Sequence, residues 1–241
     1  MKHKKPLIYA LIPARSGSKG FPDKNIKSLA GKPLIKYSID FAKSLEIDRI
    51  ICSTDSEHYA DIAIQHGAEV PFLRSKEAAS DDAMEEDVLQ DLRDQFCNYT
   101  IPEPNLMVWL RPTFIFRDRD AVLYGLQTLV NNPEYSSART VVESEGRLYK
   151  IDPETKTLYP TFDDSGKSMI RRQDIGKFYK VFSTDILRFK SSDLNSDFLG
   201  RNIFPIEVNK ICGLDIDDQV DFDLVESLVK NTKSLVKQYL C

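Results

Sequence analysis

Cysteine is scarce and scattered in this chain: Cys52, Cys97, Cys212 and Cys241 stand far apart, and no two share a CxxC spacing. That excludes a disulfide framework and a cysteine-based zinc site, and predicts a reducing, cytoplasmic setting. Cys52 and Cys212 sit in apolar runs, as small core residues do. No apolar stretch approaches the roughly 20 residues of a membrane span. The start of the chain lacks the long apolar region of a secretory leader. Without that route the sequon Asn98-Tyr99-Thr100 carries little meaning. Excess positive charge is missing too. A net charge of −4 and a pI near 5.5 argue against nucleic acid or an anionic membrane as partner. Lys2, His3, Lys4 and Lys5 read as a solvated tip. Of the other histidines, His58 and His66 read as helix-surface residues, so none is placed as a general base.

What is present begins with an apolar run, Leu7 to Ile12, that leads into a loop carrying Arg15, Lys19 and Lys24 with Gly17 and Gly20 between them. Glycines let backbone N–H groups approach phosphate oxygens, and the cations offset charge that backbone dipoles cannot balance alone. The loop is neither GxxxxGK[ST] nor a GxGxxG turn opening directly into a helix. About 20 residues separate the strand from the next helix, and structureless loops of that length in compact domains are usually functional or disordered. The reading is a triphosphate pocket. The bland alternative is a solvated lysine-rich loop.

Further apolar runs at Arg49–Ser53, Glu69–Leu73, Leu106–Leu110 and Ala138–Val142 read as strands. Amphipathic segments alternate with them: one from Pro33 through Leu34, Ile35, Ile39, Ala42 and Leu45, then Glu57–His66, Glu85–Phe96 and Arg119–Val130. This alternation predicts an α/β fold, a mainly parallel doubly wound sheet with helices on both faces. The 41% hydrophobic content suffices for the core of one domain over residues 1–241. After Val142 the pattern breaks. Residues 144–180 read as short strands and turns, an inserted β-rich arm. A final strand over Ile211–Leu214 precedes Asp215, and a last helix runs from Gln219 to about Tyr239.

Asp215-Ile216-Asp217 follows that run. Residues i and i+2 of an extended chain point to one side, so both carboxylates can reach one cation. Mg²⁺ favours one or two carboxylates with phosphate oxygens and water, and Mn²⁺ is the alternative ion. These acids could instead belong to a helix N-terminus, which suits Asp218 and Asp221 better than Asp215.

Pro13-Ala14-Arg15-Ser16-Gly17-Ser18-Lys19-Gly20, followed by Lys24-Asn25, resembles the signature of the acylneuraminate cytidylyltransferases, which activate sialic and other nonulosonic acids and 3-deoxy-octulosonic acid. Ser53-Thr54-Asp55-Ser56-Glu57 resembles the family's second strand-to-helix turn. Gly67 to Arg74 and Ala79-Ser80-Asp81-Asp82-Ala83 resemble its cytidine-side segment. The resemblance implies a Rossmann-like nucleotidyltransferase fold with a dimerisation arm. It implies CTP binding by Ala14, Arg15, Ser16, Gly17, Lys24, Asn25, Arg74 and Ser80, with Arg15, Lys24 and Asp215 in catalysis and metal ligation by Asp215 and Asp217. Arg171-Arg172-Gln173-Asp174 and Tyr179 resemble its acceptor segment. That gives Arg111, Arg172, Gln173 and Tyr179 as sugar-binding residues, although Arg171 and Arg172 could equally decorate an exposed arm.

Two stretches depart from the family. Leu110-Arg111-Pro112-Thr113-Phe114-Ile115-Phe116-Arg117 replaces Leu-Gln-Pro-Thr-Ser-Pro-Leu-Arg. This puts a permanent cation at Arg111 and adds bulk at Phe114 and Phe116 beside the acceptor pocket. Val181-Phe182 replaces an Asn-Gly. The expected reaction is transfer of CMP from CTP to the anomeric hydroxyl of a 3-deoxy-2-keto sugar acid, an octulosonic acid being the alternative acceptor. The expected assembly is a homodimer. Two rivals stand beside it: a nucleotide-sugar glycosyltransferase whose Asp-x-Asp pair holds a metal, and a silent module that binds nucleotide only.

Overall fold

A computed structural model describes residues 5–45, 47–163, 170–190, 197–231 and 236–240, apart from the side chains of Arg172 and Phe182. Strand β1 (Ile8–Pro13) runs into the long loop, which closes through a 3-10 turn at Lys24–Ile26. A two-residue hairpin follows, β2 (Ser28–Leu29) against β3 (Lys32–Pro33). Its turn residues Ala30 and Gly31 both have positive φ (48° and 82°), the conformation that two-residue hairpins favour because it matches strand twist. Helix α1 (Leu34–Ser44), capped by the extended Pro33, leads to β4 (Arg49–Ser53) and α2 (Glu57–Gln65), whose Tyr59 amide donates to the Ser56 hydroxyl. Next come α3 (Glu85–Asn98), β5 (Leu106–Leu110) and α4 (Arg119–Asn131), then β6 (Ser137–Ser144) and the hairpin β7 (Tyr149–Ile151) with β8 (Leu158–Pro160). Strand β9 (Phe178–Leu187), β10 (Ile203–Glu207) and α5 (Gln219–Lys230) complete the order.

The central sheet reads β10-β6-β9-β5-β1-β4. Only β9 runs antiparallel to its neighbours, so the sheet is mostly parallel. Helices cover both faces. Ile35, Ile39 and Ala42 of α1 and Val122, Leu126 and Leu129 of α4 pack on one face with Ala10, Ile12, Val108 and Leu110. Val88, Leu89, Leu92 and Phe96 of α3 cover the other with Tyr9, Leu11, Met107 and Trp109. Alternate residues of β1 and β5 thus feed opposite cores, as strands buried on both faces must. Strand order reverses between β1 and β5, since β4 lies beyond β1 on one side and β5 on the other. In open α/β sheets the crevice at that switch point, outside the carboxyl ends of the strands, is where ligands bind.

Four expectations need correction. Glu69–Leu73 is no strand: a single bridge joins Ile51 to Glu69, and Pro71 can donate nothing to a longer ladder. Ile211–Leu214 forms not a strand but a 3-10 turn, Lys210–Gly213, started by Asn209, whose side chain accepts from the Ile211 amide. The last helix ends at Lys230 rather than near Tyr239, which lies in a separate 3-10 turn. Phe114 and Phe116 are 1% and 0% exposed, so they fill the core instead of crowding a pocket. Between β6 and β9 the chain forms the separate hairpin β7–β8, and β9 begins at Phe178, within residues 144–180.

Candidate active site

The cleft opens where the topology puts it. A cavity of about 360 Å³ is bounded by Pro13, Arg15, Lys24 and Asn25 from the loop after β1, by Arg74, and by Trp109, Arg111 and Thr113 at the end of β5. Glu85 at the start of α3 forms its rim. A larger surface cleft, bordered by Lys5, Asn105 and Lys190, opens at the opposite end of the strands, away from every residue singled out above.

The glycine loop is shaped by tertiary contacts. Gly17 has φ +70°, which a side chain would disfavour. Ser16 donates twice to Asp55 at the end of β4, from its amide and its hydroxyl, each at 2.7 Å. Burial alone would raise the Asp55 pKa, but these Ser16 hydrogen bonds, helped by the charge of Arg74, hold it below its ordinary value. The Asn25 side-chain amide donates to the Arg15 carbonyl at 3.0 Å, closing the loop on itself. Tyr59 donates to Asp23 at 3.0 Å. Phe21 is buried edge-on against Phe222 of α5, ring centroids 5.5 Å apart.

These ties leave two kinds of group facing the cleft. The Ala14 N–H is spent on the Ser53 carbonyl. Arg74 is 6% exposed and donates to the Ser53 hydroxyl and carbonyl, so it braces the end of β4, and burial lowers its pKa. Arg15 and Lys19 both reach Asp81, at 2.9 and 2.5 Å. Ser80 is exposed on the same turn and does not line the cavity.

The paired aspartates arrive from the far end of the chain. Lys24 Nζ donates to Asp217 Oδ1 at 3.1 Å, across 193 residues of sequence. Ile216 between the two acids is wholly buried, and its amide donates to the Thr113 carbonyl, which fixes this segment beside β5. Asp218 caps α5 with Asp221 as its reciprocal partner, the helix role expected of those two. Asp215 is different. One of its carboxylate oxygens is buried without a hydrogen-bond partner among the described residues. Burial raises its pKa and the charge of Asp217 adds to that, against the lowering effects of Thr113 and Lys24. Asp217 itself is 70% exposed.

The acceptor-side residues are not gathered in this way. Arg111 lies in the cleft wall, bound to Glu85 and Asp185. Gln173 lines a separate depression with Glu143, Gly176 and Lys177, and the Tyr179 hydroxyl donates to Glu207 at 3.1 Å. The Arg172 side chain lies outside the described residues. Asp55, Asp81, Glu85 and Asp185 escaped the sequence reading as site residues. Only the Ser-Thr-Asp turn after β4 and the Ser-Asp-Asp turn gave any signal, and neither shows which cation it faces.

Residues 9–180 match the family model described as "Cytidylyltransferase". The CMP-N,N'-diacetyllegionaminic acid synthase of Legionella pneumophila is 31% identical over 95% of this chain and 99% of that protein. The N-acylneuraminate cytidylyltransferase of Escherichia coli is 31% identical over 90% of this chain, which spans 51% of its length. Among solved structures, a CMP:2-keto-3-deoxy-manno-octonic acid synthetase complexed with CTP superposes with a TM-score of 0.69 over 93% of this chain and 98% of its own, at 17% identity. The chain belongs to the cytidylyltransferase family and is a nucleotidyltransferase. Within that class it is a cytidylyltransferase of the acylneuraminate type.

Proposed function

We propose that this enzyme transfers CMP from CTP to the anomeric hydroxyl of a 3-deoxy-2-keto sugar acid of the sialic or nonulosonic class, releasing pyrophosphate. The observation that carries this reading is the 3.1 Å contact between Lys24 and Asp217, which sets the cationic loop opposite the acidic pair at the sheet's switch point. The hydroxyl attacks the α-phosphorus, and the bond to the bridging oxygen of the departing pyrophosphate breaks. Such transfers rest on positioning and on stabilisation of charge. Arg15 and Lys24 bear the charge that grows on the pyrophosphate, and Ser16, tied to Asp55, and Gly17, at positive φ, shape the loop that receives the phosphates. Asn25 and Arg74 hold the walls of the nucleotide site, with Ala14 and Ser80 at its margins. None of the described residues lining the cleft is a histidine, and no general base is assigned.

The donor set suits a magnesium ion. Asp215 offers a buried carboxylate oxygen with no partner among the described residues, and Asp217 an exposed carboxylate two residues on. No group of three or more His, Cys, Asp or Glu side chains among the described residues is arranged to hold a metal ion by itself. Two carboxylates leave room for the phosphate oxygens and waters that Mg²⁺ prefers. Asp215 and Asp217 would hold the ion, which when bound neutralises phosphate charge and lowers the pKa of a coordinated hydroxyl.

The arm exposes Leu148, Tyr159 and the cross-strand pair Ile151 and Leu158, apolar side chains that fit a partner surface. A homodimer in which the arm, with Arg172, Gln173 and Tyr179, completes the neighbouring acceptor pocket accounts for their distance from the cleft. No helix among the described residues is long and apolar enough to cross a membrane. The deciding experiment measures pyrophosphate release from CTP and Mg²⁺ with sialic, legionaminic, pseudaminic and octulosonic acids. Release with a nonulosonic acid is expected, and inertness with all four overturns the reading. Thermal stabilisation by UDP-sugars but not by CTP would favour a glycosyltransferase instead.

A further inference from the structure

Arg111 enters the cleft wall from the end of β5 with a side chain 14% exposed and gripped on two sides. One terminal nitrogen donates to Asp185 at 2.8 Å and the other to Glu85 at 2.9 Å. The two carboxylates are not equivalent. Asp185 is wholly buried at the centre of the sheet and is shared: Arg139 on β6 donates to both its oxygens, at 2.5 and 3.0 Å. Glu85 lies in the first turn of α3 on the cavity rim, with its side chain 35% exposed.

Two guanidiniums therefore share one buried carboxylate. A cation taken out of water needs an anion beside it. The second anion is Glu85, and it is the member of the group that solvent can receive. A carboxylate in the first turn of a helix remains favourably placed after it turns away, because the helix N-terminus carries partial positive charge. The acceptor class proposed above brings its own carboxylate into the same cleft, and an arginine fork is well shaped to hold one.

We propose, resting on that reaction, that Glu85 is an internal stand-in for the acceptor's carboxylate. It occupies the outward side of Arg111 while the cleft is empty and gives up that place to the sugar acid. Acceptor affinity is thereby set by a contest between two carboxylates for one guanidinium. A neutral sugar offers Arg111 no carboxylate in exchange for Glu85, so the pair also selects for acids.

The test compares steady-state constants of the intact enzyme. Glu85→Gln keeps the shape and removes the charge. It is expected to lower the KM for the sugar acid about fivefold, the scale of losing one partly exposed competing pair, while kcat and the KM for CTP hold. The preference for the acid over an acceptor whose carboxylate is replaced by a carboxamide disappears in Arg111→Gln. Arg111→Gln raises the KM for the acid about tenfold, and in the double variant Glu85→Gln no longer helps. An unchanged CTP constant marks each variant as folded. If Glu85→Gln leaves the acid KM unchanged or raises it in an active enzyme, the pair is structural and the proposal fails. A wild-type enzyme inert with every acid overturns the reaction itself, and this proposal with it.

Discussion

The glycine loop after β1 is tied at Ser16, Phe21 and Asp23 to three other parts of its own chain, and Asn25 closes it on Arg15. The arm between β6 and β9 instead shows Leu148, Ile151 and Leu158 to solvent, and its Tyr179 hydroxyl donates to Glu207. Both are long excursions from one sheet. The first is finished by contacts within the chain, and the second presents side chains that the described residues leave uncovered. The phosphate half of the reaction should therefore depend on one subunit and the acceptor half on two.

Removing the loop's cation or the buried acid opposite it has the largest expected effect. Lys24→Ala or Asp215→Ala should each lower kcat on the order of 10²-fold or more, the scale of losing one transition-state donor. Single-turnover pyrophosphate release measures it, and near-normal turnover from both refutes the assigned roles. Breaking the arm comes next. Ile151→Ser with Leu158→Ser should yield a monomer in sedimentation, with the acid KM up about tenfold and the CTP KM unchanged, since patches of this kind carry association rather than folding. A fully active monomer sinks the shared pocket. Loosening the loop without touching its cations is smaller: Asp55→Asn should raise the CTP KM severalfold, roughly the value of one charge-assisted hydrogen bond.

The smallest effect is on pH. The folded-state pKa of Asp55 lies below the ordinary 3.8. Its contribution to loop order is therefore present in full above that value and is lost as pH falls through the lower folded-state pKa. Acid unfolding followed by circular dichroism should show the wild type losing this increment in strongly acid solution. The Asp55→Asn protein should show no corresponding loss, and identical acid limbs would discard the claim.

The first half of the chain was legible because local patterns and tertiary outcome agree there. Strands β1, β4 and β5 and helices α1 to α4 follow the apolar spacing. Strand β9 was not legible as a unit, because Lys180, Ser183 and Asp185 interrupt its apolar run. An aspartate mid-sheet is acceptable only because Arg111 and Arg139 arrive from neighbours far away in sequence. Strand β10 was hidden by Pro205, which sheets tolerate on an edge, and β10 is an edge strand. In the site, the cations and the Asp215–Asp217 pair could be named from residue types. Their partners could not, since each partner is a common acid whose relevance appears only on folding.

Strand β9 reverses direction, and Ser144 pairs directly with Phe178. The inserted segment thus leaves and re-enters the sheet at adjacent rungs, with its two ends held together by the framework. Its length and sequence are then nearly free of the architecture beneath, since closing a longer excursion between fixed neighbours costs little. A lineage can exchange this piece as a cartridge while the sheet that carries the cleft stays put.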